Sequence, residues 1–272
     1  MEPRMPEPPE SPRLLRPRRV GEILVDAFAL YRRHWQNLIV IVAVIVIPLS
    51  FAQVLLGEVW IREGLTREEL RDGVEVVDGA FVAGALASLV VALTSVLMWT
   101  VLTGAITRAA AGTFLGRDLE IGESYRFGLS RFWSIVLIGV LSALAIAGGF
   151  ILLVVPGFIV LTRLTCAMPS LVIEDRRGRR ALGRSWDLVR GRGWPVFGTI
   201  VVAGLITGIV NAILTAPFGD NWAARSIGAS IASVVTMPYT ALVGVFIYLD
   251  LRVRKERYSA EDLERDLAST AA

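Results

Sequence analysis

Residues 132–173 read FWSIVLIGVLSALAIAGGFILLVVPGFIVLTRLTCAMPSLVI and hold one charged side chain, Arg163. As one helix these 42 residues would run for roughly 60 Å, about twice the hydrocarbon core of a bilayer. Pro156-Gly157 sits near the middle of the stretch, and a Pro-Gly pair is a turn signal. The stretch therefore reads as two crossings joined at Val155-Pro156-Gly157.

Four further uncharged runs, 36–57, 79–107, 193–219 and 226–249, are 22 to 29 residues long. About 20 apolar residues suffice for one crossing. The sequence thus predicts an all-α integral membrane protein with six transmembrane helices, at about 37–57, 80–107, 133–155, 157–173, 194–216 and 227–249. Composition agrees: 54% of the chain is apolar, 19% is charged, and the mean hydropathy is +0.59. A collagen-like, disulfide-rich or disordered chain is excluded.

Charge placement sets the orientation, because Lys and Arg collect on cytoplasmic loops. Six spans with both termini inside leave only Arg62, Arg67, Arg71 and Arg225 outside, four of 28 basic residues, against eight of 25 acids. Five spans would export the segment 176–192 with its seven arginines. The expected location is a bacterial inner membrane, multi-pass, with cytoplasmic N- and C-termini. The net charge of +3 and pI near 9.4 then reflect topology and apposition to anionic headgroups, not nucleic-acid binding.

Residues 1–19 carry six of the twelve prolines and no apolar core, so they read as a disordered cytoplasmic tail rather than a signal peptide. The membrane domain is expected over 20–251. A cytoplasmic tail follows over 252–272, with a short helix opened by Ser259-Ala260-Glu261-Asp262. A similar box at Thr66-Arg67-Glu68-Glu69 predicts a short helix in the first external loop.

Spans one, three and five begin alike, with Arg33-His34-Trp35, Arg131-Phe132-Trp133 and Arg192-Gly193-Trp194. Each is preceded by a mixed apolar and charged segment. The pattern predicts three units, each a cytoplasmic interfacial helix feeding a transmembrane hairpin. Small residues recur every four positions in Ala80-Gly84-Ser88-Ala92, Gly139-Ala143-Ala147 and Gly204-Gly208-Ala212-Ala216. Such stripes bring helices into close contact in lipid, and packing within one chain is their expected use.

Catalytic patterns are missing. One histidine, His34, stands at the predicted boundary, and one cysteine, Cys166, lies within span four. A single cysteine allows no disulfide and no cysteine metal site within the chain, and a lone histidine there reads as a boundary residue. No phosphate loop, zinc-protease helix or nucleophile elbow occurs. Glu174-Asp175 is followed by Arg176-Arg177 and reads as a solvated ion-pair cluster. The expectation is a protein without enzymatic activity, cofactor or metal.

Arg163 is the candidate site. At its depth a lipid-facing charge costs about 2.5 kcal/mol or more, so it is expected to be buried in the bundle and paired. Two roles are open to it: contact with an anion or lipid headgroup, or a structural tie to carbonyls or to Asn211, Gln53 or Thr162.

Pro156-Gly157, Arg163, Pro169, Glu174 and Ala181-Leu182-Gly183-Arg184-Ser185-Trp186-Asp187-Leu188 with Gly191 form a pattern of their own. It resembles bacterial proteins named for the membrane domain of glycerophosphoryl diester phosphodiesterases, over about 155–194. The resemblance implies an integral membrane module, in some members fused to a soluble phosphodiesterase barrel. No segment here is long enough for that barrel, so the resemblance implies no enzymatic activity. The first functional expectation is a non-catalytic module that contacts membrane lipids or binds another membrane or envelope protein, in envelope or lipid metabolism. The alternative is a transporter of a small anionic or amphipathic substrate, suggested by Arg163 and Asn211 at depth.

Overall fold

The computed structural model describes residues 16–63, 86, 89–90, 101–112, 130–219 and 222–271. The described residues are helical apart from short connections, and no strand forms among them. In chain order the helices are α1 (Val20–Arg33), α2 (Trp35–Glu63), α3 (101–112), α4 (Phe132–Leu152), α5 (Val154–Leu164), α6 (Ala167–Glu174), α7 (Arg179–Val189), α8 (Gly193–Thr215), α9 (Trp222–Glu256) and α10 (Ala260–Ala271).

Four helical runs are long and apolar enough to cross a membrane: Phe132–Leu152, Val154–Glu174, Gly193–Phe218 and Ala224–Glu256. A fifth arises if α1 and the first part of α2, bent by 82° at His34, count as one broken span. Of the six spans read from the sequence, the second lies mostly outside the described residues, as do the predicted helix at 66–69 and the stripe at 80–92.

The hairpin within 132–173 turns three residues earlier than the Pro-Gly pair suggested. Leu153 is the single extended residue between α4 and α5, with φ −168° and ψ 154°. Pro156 is the third residue of α5, where its missing N–H costs nothing because first-turn donors have no helical partner. Gly157 serves packing instead: a Cβ there would lie 2.5 Å from the Phe150 ring. One built on Gly149 would come within 3.0 Å of the Gly157 backbone.

α9 is the central helix, with Leu242, Val245, Tyr248 and Leu249 fully enclosed. Its 35 residues make roughly 50 Å, more than a hydrocarbon core of roughly 30 Å requires. The excess carries Asp250, Arg252, Arg254, Lys255 and Glu256 beyond the apolar part. α4 and α8 are peripheral and turn apolar residues such as Leu144, Ile151, Leu205 and Ile213 outward. Trp133 and Trp194, at the start of these helices, are 80% and 84% exposed. The stripe Gly204-Gly208-Ala212-Ala216 also faces outward, so the expected packing within the chain is not seen there among the described residues.

Two of the three proposed units contain the expected leading helix: α1 ahead of α2, and α7 ahead of α8. Gly191, with φ +85°, makes the turn between α7 and α8, a conformation glycine adopts without steric cost. The leading segment of the middle unit, 121–129, lies outside the described residues. α10 opens with the capping box read from the sequence. The Ser259 hydroxyl accepts from the Asp262 amide at 3.2 Å, and the Ser259 amide donates to the Asp262 carboxylate at 3.0 Å. The helix is packed on the body, with Leu263 and Leu267 buried.

Candidate functional site

Between α5 and α6 the helix breaks at Thr165-Cys166. Pro169 explains the position, because its ring excludes the carbonyl four residues back and it has no N–H to donate there. Ser185 of α7 satisfies the break: its hydroxyl donates to the Arg163 carbonyl at 2.6 Å and accepts from the Cys166 amide at 3.0 Å. Ser185 is fully buried, so no water substitutes for it.

The Arg163 side chain points to the same helix. Its guanidinium donates to the Trp186 carbonyl at 3.3 Å and lies 5.2 Å from the centre of the Trp186 ring. Asn211 donates instead to Thr207 and Thr236, and Thr162 to Phe158. Arg163 is half-buried, not enclosed by the bundle as expected. The last carbonyls of α7 attract cations through the negative end of the helix dipole, and Lys255 takes two more, Asp187 and Arg190, both at 2.7 Å.

We expect Ser185→Ala to cost about 2 kcal/mol, since it strands a buried carbonyl and a buried amide at once. Thermal unfolding in detergent measures it against Ser230→Ala, whose hydroxyl only donates within its own helix to Ser226. Equal midpoints for the two variants would remove Ser185 from the break.

A larger ionic centre lies at the end of α6. Glu174 is 7% exposed at its side chain. Its carboxylate accepts two hydrogen bonds from Arg184 Nε, at 2.9 and 3.0 Å, and one from the Tyr248 hydroxyl at 2.7 Å. Arg176 approaches to 3.3 Å and Arg252 to 3.7 Å. The ion pairs read at 174–177 do form, with exposed Arg176 on Glu174 and exposed Arg177 on Asp175, but the Glu174 carboxylate itself is buried in a wider hub. Its acid ends a spanning segment, where the guanidinium of another helix replaces water.

The network extends outward. Arg184 reaches Glu256 at 2.6 Å, Arg252 reaches Glu256 at 2.8 Å and Asp266 at 2.7 Å, and the Tyr258 hydroxyl donates to Asp266 at 2.7 Å. Arg252 also lies 3.7 Å from the Tyr258 ring centre. Burial, then the bond to Asp266, pushes the Tyr258 hydroxyl above its usual range. The Ser259 amide and hydroxyl hold the Asp262 carboxyl below its own. At the far end of α10, Arg108 donates to Thr270 at 2.7 Å and to the Leu267 carbonyl. Arg131 pairs with Asp175 at 2.6 Å.

A second centre joins the chain's two ends. The Arg18 amide donates to Asp250 at 2.6 Å, Arg254 binds the same carboxylate at 2.8 and 3.0 Å, and Arg254 also donates to the Arg18 carbonyl at 2.6 Å. Arg18 is 5% exposed and pairs with Asp26 at 2.8 Å. Of the tail assigned to 1–19, residues 16–19 therefore carry a docked arginine, while 1–15 lie outside the described residues.

Sequence reading found Arg163 and quoted Arg184 and Ser185 only as part of a pattern. It missed the hub. One signal was present: Tyr248, Arg252 and Glu256 recur every four residues, on one face of a helix. Nothing local announces that Glu174 meets that face.

Residues 121–249 match the model of an uncharacterised family described as "Domain of unknown function (DUF7847)". The match includes Arg163, Glu174, Arg184, Ser185 and Tyr248, whereas Arg18, Arg252, Glu256 and Asp266 lie beyond it. No curated protein and no solved structure matches the chain.

Proposed function

We propose that the chain is a six-span protein of the bacterial inner membrane, with both termini cytoplasmic. It acts as a non-catalytic module that contacts lipids or a membrane or envelope partner in envelope or lipid metabolism. One observation carries this reading: apolar side chains face outward along α4 and α8, while charged side chains gather and pair at one end of the helices. Arg108, Arg131, Glu174 and Asp250 all belong to that end, as expected if the chain returns to one side after every second crossing. The pattern around Arg163 and Arg184-Ser185 supports kinship with the glycerophosphoryl diester phosphodiesterase membrane-domain family.

Cysteine labelling in a Cys166→Ala background tests the orientation. The inside probe is Arg180→Cys, at an exposed position of α7. It should label only from inside, and Gly73→Cys only from outside. External labelling at 180 would overturn the arrangement.

The break in α5–α6 favours a second reading, a transporter of a small anionic or amphipathic substrate, because interrupted helices are where transporters bind ligands. Arg163→Leu separates the two. On the first reading it costs about 1–2 kcal/mol, from one charged hydrogen bond and one cation–π contact, and lipid binding falls in proportion. On the second the protein stays folded but loses anion flux in proteoliposomes, and Arg163→Lys restores little because the planar fork is gone.

A further inference from the structure

We propose that a cavity framed by the starts of α1 and α8 and the end of α9 binds the phosphate of an anionic phospholipid. The inference rests on the lipid-contacting reading above and gives it a site. The cavity holds about 360 Å³ and is lined by four arginines, Arg18, Arg19, Arg192 and Arg254, against one carboxylate, Asp250. Asp250 is already occupied by Arg254 and by the Arg18 amide, so it offers little to a second cation. Two helices begin at this cavity, α1 at Val20 and α8 at Gly193, and a helix start favours an anion through the positive end of its dipole.

Arg18 supplies an independent observation. It is 5% exposed, its Nε is held by Asp26 and its guanidinium lies 5.1 Å from the centre of the Phe246 ring, while the enclosed Nη1 has no hydrogen-bond partner among the described residues. Buried guanidinium nitrogens rarely go without an acceptor, because the lost hydration is not replaced. A phosphate offers several oxygens, in the planar fork geometry that arginine matches.

The occupant is a lipid rather than a free ion because a separate apolar groove lies further along the same helices, α1, α8 and α9. This groove, of about 350 Å³, runs beside α1 between α8 and α9, along Phe28, Tyr31, Ile206, Val210, Val235 and Tyr239. From Val196 in the cavity to Ile206 in the groove is ten residues of α8, roughly 15 Å. That is about half of a roughly 30 Å hydrocarbon core, the depth of acyl chains below a headgroup. Basic pockets between spanning helices on the cytoplasmic side suit lipid phosphates.

The full chain, purified in detergent, is titrated with phosphatidylglycerol, phosphatidylcholine and inorganic phosphate, and binding is read by native mass spectrometry and thermal shift. Phosphatidylglycerol should bind at least tenfold tighter than phosphatidylcholine. Arg19→Ala/Arg192→Ala should lose that preference with the lipid-free unfolding midpoint unchanged. If the midpoint falls, Arg19→Ala alone, at an exposed position, should still weaken phosphatidylglycerol at least threefold. Phe28→Asp should weaken the lipid but leave inorganic phosphate unaffected. A preference unchanged in both arginine variants overturns the site, yet leaves the lipid-contacting reading standing if phosphatidylglycerol still binds. Inorganic phosphate that binds as tightly as the lipid overturns the lipid as occupant. No lipid binding by the unaltered chain overturns both.

Discussion

Glu174→Ala should lower the free energy of unfolding by about 3 kcal/mol, because removing one member of a buried ion pair leaves its partners desolvated and uncompensated. Glu174 is 7% exposed and Arg252 11%, so water reaches neither freely. Arg184 keeps Glu256, and Arg252 keeps Glu256 and Asp266, which holds the loss near the lower end of the usual range. Tyr248 loses the acceptor of its hydroxyl proton while still accepting from Arg252. Glu174→Gln preserves shape and one acceptor and should cost about half as much. Arg265→Ala, whose pair with Asp262 is 74% exposed on the arginine side, should change little. Thermal unfolding in detergent should show a drop on the order of 10 °C for Glu174→Ala. A midpoint within a degree or two of the Arg265→Ala protein would mean that the hub does not hold the helix ends together.

Leu263→Ala is the second large effect, at about 3 kcal/mol. Leucine-to-alanine changes in buried sites cost about 2–5 kcal/mol through lost transfer energy and the cavity left behind. Leu263 is fully buried but belongs to a polar helix beyond the apolar segments, so its burial is against water and gains the full hydrophobic effect. The same substitution at lipid-facing Leu205 should cost little, since lipid is as apolar as the helix surface. Release of α10 also strips acceptors from Arg108 and from Arg252. Trypsin cleavage at exposed Arg257 should rise on the order of 100-fold as the open population grows. Unchanged cleavage would show that α10 is held by its ion pairs alone. The two variants share partners through Asp266 and Arg252, so the double variant should cost less than the sum.

Much of the candidate site was hidden because its pairs are remote in sequence. Arg163 was legible: one charge in a 42-residue run is conspicuous, and its need for a partner follows from its depth. Which partner was not legible. Asn211 lies on α8 and looked suitable, yet the Trp186 carbonyl is nearer because Ser185 draws α7 against the helix break. Glu174 was legible only in part, because adjacent Arg176 and Arg177 offered local ion pairs that gave no sign of its burial. Arg176 does approach Glu174, but the shorter bonds come from Arg184 ten positions on and Tyr248 on α9.

The sequence by itself determined that the described residues are helical, where four of their long apolar helices lie, and where α10 begins. Those properties depend on local quantities: the length of an uncharged run against the thickness of a bilayer, and a capping box confined to four residues. Only the tertiary structure decided where the α4–α5 hairpin turns, that Gly204-Gly208-Ala212-Ala216 faces outward, and which charges meet. Pro156 could have stood in a turn or in the first turn of a helix, and the close approach of Gly149 and Gly157 selects the second. A stripe of small residues has no preferred partner until neighbouring helices are in place. Ion pairs form where helix ends converge, and Arg18 and Asp250 meet across 232 residues of chain because α1 packs against the end of α9.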